Sequence, residues 1–147
     1  MLLAGRQLSI SRSEGVFAYK CMMKSELFAK EGFDLMGAAF EVHSTIGGGM
    51  AEEVYQESLE IELGLRAIPF TAKPPVAMSY KGQSLRKEYF PDLLVSGVIV
   101  AELKSVSKLL PEHEGQLINY LRITGHRVGY LINFGPMGKL EWKRFVI

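Results

Sequence analysis

Apolar residues between Ser25 and Ile46 recur three and four positions apart: Leu27, Phe28, Leu35, Met36, Ala39, Phe40, Val42 and Ile46, with His43 among them. An α-helix turns once every ~3.6 residues, so this spacing gathers them on one face and predicts an amphipathic helix over 25–46. Gly47-Gly48-Gly49 stops it. A second helix is predicted over 51–65, with Val54, Tyr55, Leu59 and Leu63 inward. Its first turn carries Glu52 and Glu53, where the helix dipole favours acids. The pattern then shortens to strands over 67–72 and 76–80, separated by the Pro74-Pro75 break. A hairpin follows, with strands over 89–95 and 98–104. Pro111 opens a third helix, reaching Ile123, at the position that best tolerates proline. Strands over 128–133 and 140–146 close the chain around Gly135-Pro136-Met137-Gly138. The order ααββββαββ is that of an α/β fold. Its last helix lies between two strands, as in a parallel crossover within a mixed sheet.

Residues 1–21 show no clear period and are expected to be a weakly ordered leader, with the domain spanning 22–147 from the Met22-Met23 pair. A chain of 147 residues that is 48% apolar suits one globular domain. Its net charge of +1 gives no overall basic signature, so a nucleic-acid partner would be met by a local patch or through metal ions. The single Cys21 excludes an internal disulfide and a cysteine-based zinc site. No apolar run reaches the ~20 residues of a membrane span, and no signal peptide is visible. A soluble, cytoplasmic protein without membrane contact is expected. The triple glycine lacks a following Lys-Ser/Thr, which rules out a P-loop.

The chemistry concentrates in the hairpin. Asp92, Glu102 and Lys104 interrupt a run of Leu, Val and Ile, where ionisable groups persist only if they are paired or bind something. Glu102 and Lys104 are two apart and share a face. A two-residue Ser96-Gly97 turn would pair Asp92 with Ala101 and put it on the other face. A three-residue Val95-Ser96-Gly97 loop, with glycine at positive φ, pairs Asp92 with Val100 and unites all three. The second register leaves Leu93, Ile99, Ala101 and Leu103 as an apolar face and is the one expected. A divalent cation would account for the three polar groups; a structural ion pair is the competing explanation.

Pro91-Asp92 followed by Glu102-x-Lys104 resembles the PD-(D/E)XK nuclease superfamily. Gln116-x-x-x-Tyr120 on the next helix is similar to an element of its exonuclease-like branch. Gly49-x-x-Glu52-x-x-Tyr55 resembles the signature of the GxxExxY proteins, and Asn119-Tyr120-Leu121 and Leu131-Ile132-Asn133-Phe134-Gly135 look like their C-terminal half. The resemblance covers about Ser25 to Ile147. It implies a restriction-endonuclease-like αβββαβ core, with a mixed sheet flanked by helices.

It also implies a nuclease hydrolysing phosphodiester bonds, with DNA favoured over RNA, and Mg²⁺ as cofactor with Mn²⁺ able to substitute. Asp92, Glu102, Glu52 and the Leu103 carbonyl would hold the metal. Asp92, Glu102, Lys104, Glu52 and Gln116 would form the catalytic set, with Lys104 acting through orientation and electrostatics. Tyr120, Tyr55 and His113 would contact substrate. A homodimer is expected only by analogy with other small nucleases of this fold. The alternative is a catalytically silent module of the same fold that binds nucleic acid or protein.

Overall fold

The computed structural model of the protein describes residues 12–147. The single helix expected over 25–46 is broken at a Leu27-Phe28 turn, where Phe28 adopts a left-handed backbone (φ 54°) and separates α1 (Arg12–Glu26) from α2 (Ala29–Ile46). A bulky residue rarely takes that conformation. Here the half-buried Phe28 packs against the core, a tertiary reward that spacing does not reveal. Of the stretch expected to be a leader, residues 12–21 belong to α1, and residues 1–11 lie outside the described residues. Gly47 ends α2 at φ 84°, its amide donating to the His43 carbonyl (2.8 Å), as the triple glycine foretold. Next comes α3 (Glu52–Leu65), beginning one residue after the expected position.

Seven strands follow: β1 (Phe70–Ala72), β2 (Val76–Tyr80), β3 (Gln83–Tyr89), β4 (Leu93–Val95), β5 (Ile99–Lys104), and, after α4 (Pro111–Thr124), β6 (Val128–Asn133) and β7 (Glu141–Val146). β1-β4-β5-β6-β7 form one sheet, antiparallel except for the β5–β6 pair, which is parallel as expected. β2 and β3 make a separate hairpin. The strand expected over 89–95 is therefore two elements. Tyr89 ends β3, and Pro91, which has no N–H for a ladder, precedes the turn into β4.

The β4–β5 register differs from both alternatives read from sequence. Leu93 pairs with Ala101, Leu94 with Val100 and Val95 with Ile99. Ser96 and Gly97 are both left-handed (φ 53° and 68°), the Val98 amide bonds the Val95 carbonyl (3.1 Å), and Val98 is the third loop residue. Continued one step, this register sets Asp92 opposite Glu102. It is displaced by two residues from the expected one, so every side chain keeps its anticipated face.

One sheet face, with Leu93, Val95, Ile99, Ala101, Leu103, Tyr130 and Ile132, packs on Leu35, Ala39, Leu59 and Leu63 of α2 and α3. The other, with Leu94, Val100 and Leu131, packs on Leu117, Tyr120 and Leu121 of α4. β6 is covered on both sides and is buried throughout, apolar as far as Asn133 at its end. A Cβ on Gly129 would lie 2.9 Å from Leu117, so glycine lets α4 sit close to the sheet. Glu102 and Lys104 thus emerge on the α4 side, at the carboxyl end of a strand with a parallel neighbour. Ligand sites in α/β sheets commonly form at such ends.

Candidate active site

Backbone hydrogen bonds fix the two acids of the hairpin. Asp92 accepts the Leu103 amide on Oδ2 (2.7 Å), and its own amide donates to Glu102 Oε1 (3.2 Å). Glu102 is 4% exposed. Each carboxyl group also acts on the other: the interaction between their side chains lowers Asp92 and raises Glu102. Lys104 Nζ does not close on them; it donates to Gln116 Oε1 on α4 (3.2 Å), and Gln116 Nε2 donates to the Tyr120 hydroxyl (3.1 Å).

The electrostatics follow from this packing. Burial, then the charge of Asp92, pushes Glu102 up to about 9. Burial also raises Asp92, against the opposing pull of the Leu103 amide, Lys104 and Lys73. Glu52 at the start of α3 is raised by burial and then by Asp92, so the helical acid lies within the field of the hairpin acids. Burial raises the Tyr120 hydroxyl; the Gln116 bond lowers it, and the charges of Glu102 and Asp92 add to the rise. Three carboxyl groups disfavoured as anions in one place are what a bound cation would relieve.

The donor set suits a hard cation that uses one or two protein carboxylates and keeps several waters. Asp92 and Glu102 supply that pair. Among the described residues no three His, Cys, Asp or Glu side chains converge closely enough to cage an ion. Glu52 is therefore an electrostatic neighbour of the pair here, not a third tight ligand.

The remaining expected residues take other positions. Tyr55 is fully buried and stacked on Phe134 (centroids 4.7 Å apart), its hydroxyl donating to the Gly47 carbonyl (2.6 Å) and accepting the Met50 amide (3.0 Å). It ties down the loop that launches α3, and substrate could reach it only if that loop opened. His113 turns back to its own helix start, where Nδ1 accepts the Leu110 amide (3.0 Å).

Two residues not anticipated complete the frame. Gln56 Nε2 donates to the Asp92 carbonyl (3.0 Å) and to Glu60 Oε1 (2.8 Å), pinning α3 to the hairpin. Glu52 and Gln56 are four apart on one helix face, a spacing that could have revealed the link. Ser105, directly after Lys104, donates its hydroxyl to the Met50 carbonyl, joining the end of β5 to the loop that Tyr55 closes.

Among curated proteins none matches the chain. The crystal structure of SSO0001 superposes with a TM-score of 0.51 at 21% identity, a likeness of fold covering 64% of this chain and 48% of that one. The chain thus spans about half the length of that protein. A family model described as the PD-(D/E)XK nuclease superfamily matches residues 29–145, from the start of α2 into β7. That match takes in the hairpin acids, Lys104 and the helix behind them, and the protein belongs to the PD-(D/E)XK nuclease superfamily.

Proposed function

We propose that the protein is a Mg²⁺-dependent nuclease, with Mn²⁺ able to substitute, that hydrolyses phosphodiester bonds, DNA being the first substrate to test. PD-(D/E)XK nucleases typically use divalent metals. The observation that carries the reading is the pairing of buried Glu102 with half-buried Asp92, with Lys104 beside them and no ion pair for either acid among the described residues. Asp92, Glu102 and the Leu103 carbonyl would hold the metal, with Glu52 adjusting its charge from α3. Bound there, a divalent ion would polarise the phosphate and favour ionisation of the attacking water.

The chain's own groups do the rest. Lys104 is held by Gln116, and Gln116 by Tyr120, so the ammonium is pre-oriented toward a phosphate oxygen as charge grows on it. Tyr55 and Gln56 brace α3 and so position Glu52. This division of labour fits the GxxExxY pattern, with Glu52 at the site and Tyr55 beneath it. No helix among the described residues is long and apolar enough to cross a membrane.

The competing reading is a silent nucleic-acid-binding module of the same fold. Labelled single- and double-stranded DNA incubated with Mn²⁺ or EDTA separates the two. Cleavage is expected only with metal, and Asp92→Ala or Lys104→Ala should lower it by at least about 100-fold. DNA binding without metal-dependent cleavage would instead establish the module.

A further inference from the structure

Beside the site, between the outer face of α4 and the end of β3, lies an open groove of about 590 Å³. That is within the range of roughly 300–1,000 Å³ typical of small-ligand sites. Gln116 forms part of its wall while its Oε1 holds Lys104, so groove and site are continuous. Tyr89 and Tyr120 meet edge to face within it (centroids 5.5 Å apart), and Tyr89 keeps part of its ring open to solvent. Glu112, Asn119 and Arg122 line it, Glu112 two turns before Asn119 and Arg122 one turn after, all exposed, and none makes a side-chain hydrogen bond or ion pair among the described residues.

Gly115 also lines the groove, and packing does not explain it. A Cβ there would meet nothing within 4 Å, and its backbone is helical, with no positive φ. A mid-helix glycine costs about 1 kcal/mol relative to alanine, and here nothing in the fold returns it. What glycine does preserve is room in the groove.

The lining combines an aromatic face, an acceptor (Glu112), a donor–acceptor amide (Asn119) and a single guanidinium (Arg122). A phosphate track would carry several cations and no carboxylate. The set suits one nucleobase, stacked on Tyr89 with its edge read by Asn119 and Glu112, and one adjoining phosphate on Arg122. A base within a duplex has its edge paired and its faces stacked, so it cannot enter. We propose that this groove receives one unpaired nucleotide next to the scissile phosphate, making unpaired strands the preferred ligand. The substrate class rests on the nuclease reading; the groove's affinity does not require cleavage.

Fluorescence anisotropy in EDTA, where no turnover is expected, tests this with short labelled oligothymidylate, oligouridylate and a blunt DNA duplex of equal length. The single strand should bind at least about tenfold more tightly than the duplex. Gly115→Phe, whose Cβ meets nothing within 4 Å and whose ring would occupy the groove, should lose about tenfold in single-strand affinity, the equivalent of one base stack. Gly115→Ala should stay within about threefold and melt at a higher temperature. Tighter binding of either oligomer than of the duplex supports the groove.

Equal affinity for strand and duplex overturns the proposal, as does unchanged single-strand binding in both Gly115→Phe and Asn119→Ala. Should circular dichroism show Gly115→Phe unfolded, Asn119→Ala decides alone. Mn²⁺-dependent duplex cleavage alongside unaltered single-strand binding in the variants sinks the groove and leaves the nuclease. Variant-sensitive single-strand binding without cleavage in any metal sinks the nuclease and leaves the groove.

Discussion

Asn133 and Glu102 are both buried polar residues, on adjacent parallel strands two register steps apart, yet the fold treats them oppositely. Asn133 is 0% exposed and uses its whole amide. Its Oδ1 accepts the Val106 and Gly135 amides (both 3.0 Å), and its Nδ2 donates to the Val106 carbonyl and Glu141 Oε2 (both 2.9 Å). Glu141 Oε2 also accepts the Leu109 amide (3.1 Å), so this centre fixes the loop entering α4. Glu102, equally enclosed, receives one amide at 3.2 Å and faces a second carboxyl group. A buried amide with every polar atom paired specifies structure, whereas two carboxyl groups set facing each other are where a cation from outside would favour the charged forms. The site is the place where the fold stops short of neutralising its own charge.

Asn133→Ala should have the largest effect, because it empties a fully buried position and removes the partner of two amides, a carbonyl and Glu141 at once. A loss of roughly 3–5 kcal/mol in urea unfolding is expected, and a loss under 1 kcal/mol would remove the contrast with Glu102.

A pH series in EDTA comes next. Glu102 has its folded-state pKa raised to about 9, so near neutral pH the folded chain holds a proton that the unfolded chain has released. That contribution is fully present below the ordinary glutamate value and is lost as pH climbs toward about 9. Metal-free stability should therefore fall by roughly 1–3 kcal/mol across the window, and Glu102→Gln should flatten the fall. Divalent-metal affinity should run the other way, rising with pH and releasing protons, as calorimetry in buffers of different ionisation heat would register. A metal-free stability that rises with pH would contradict this assignment.

Tyr55→Phe should have the smallest effect. The ring can stay on Phe134 while the Gly47 carbonyl and Met50 amide lose their partner, at about 1–2 kcal/mol. Cleavage should fall by roughly tenfold as Glu52 loosens, because small misplacements of a catalytic constellation are costly. Unaltered cleavage would confine Tyr55 to packing.

Much of the architecture could be read along the chain. The helices of 29–46, 52–65 and 111–124 and the apolar β6 follow from period and end signals, because these depend on neighbours a few residues away. The shared face of Asp92 and Glu102 was legible too, since strand parity survives a register displaced by two residues. The split at Phe28, the separate β2–β3 hairpin and the pairing partner of Asp92 were not, because each depends on surfaces assembled from distant segments.

The same division runs through the chemistry. Residue types and spacing supplied Asp92, Glu102 and Lys104 as a set, and the family resemblance added Glu52 and Gln116 as companions. Folding supplied the terms on which they meet: Gln56 reaching the Asp92 carbonyl across 36 positions, Lys104 bound to Gln116 instead of the acids, and Tyr55 turned inward to hold a loop. Hydrogen bonding and desolvation at such points depend on which distant groups arrive together, and a linear pattern carries no record of that.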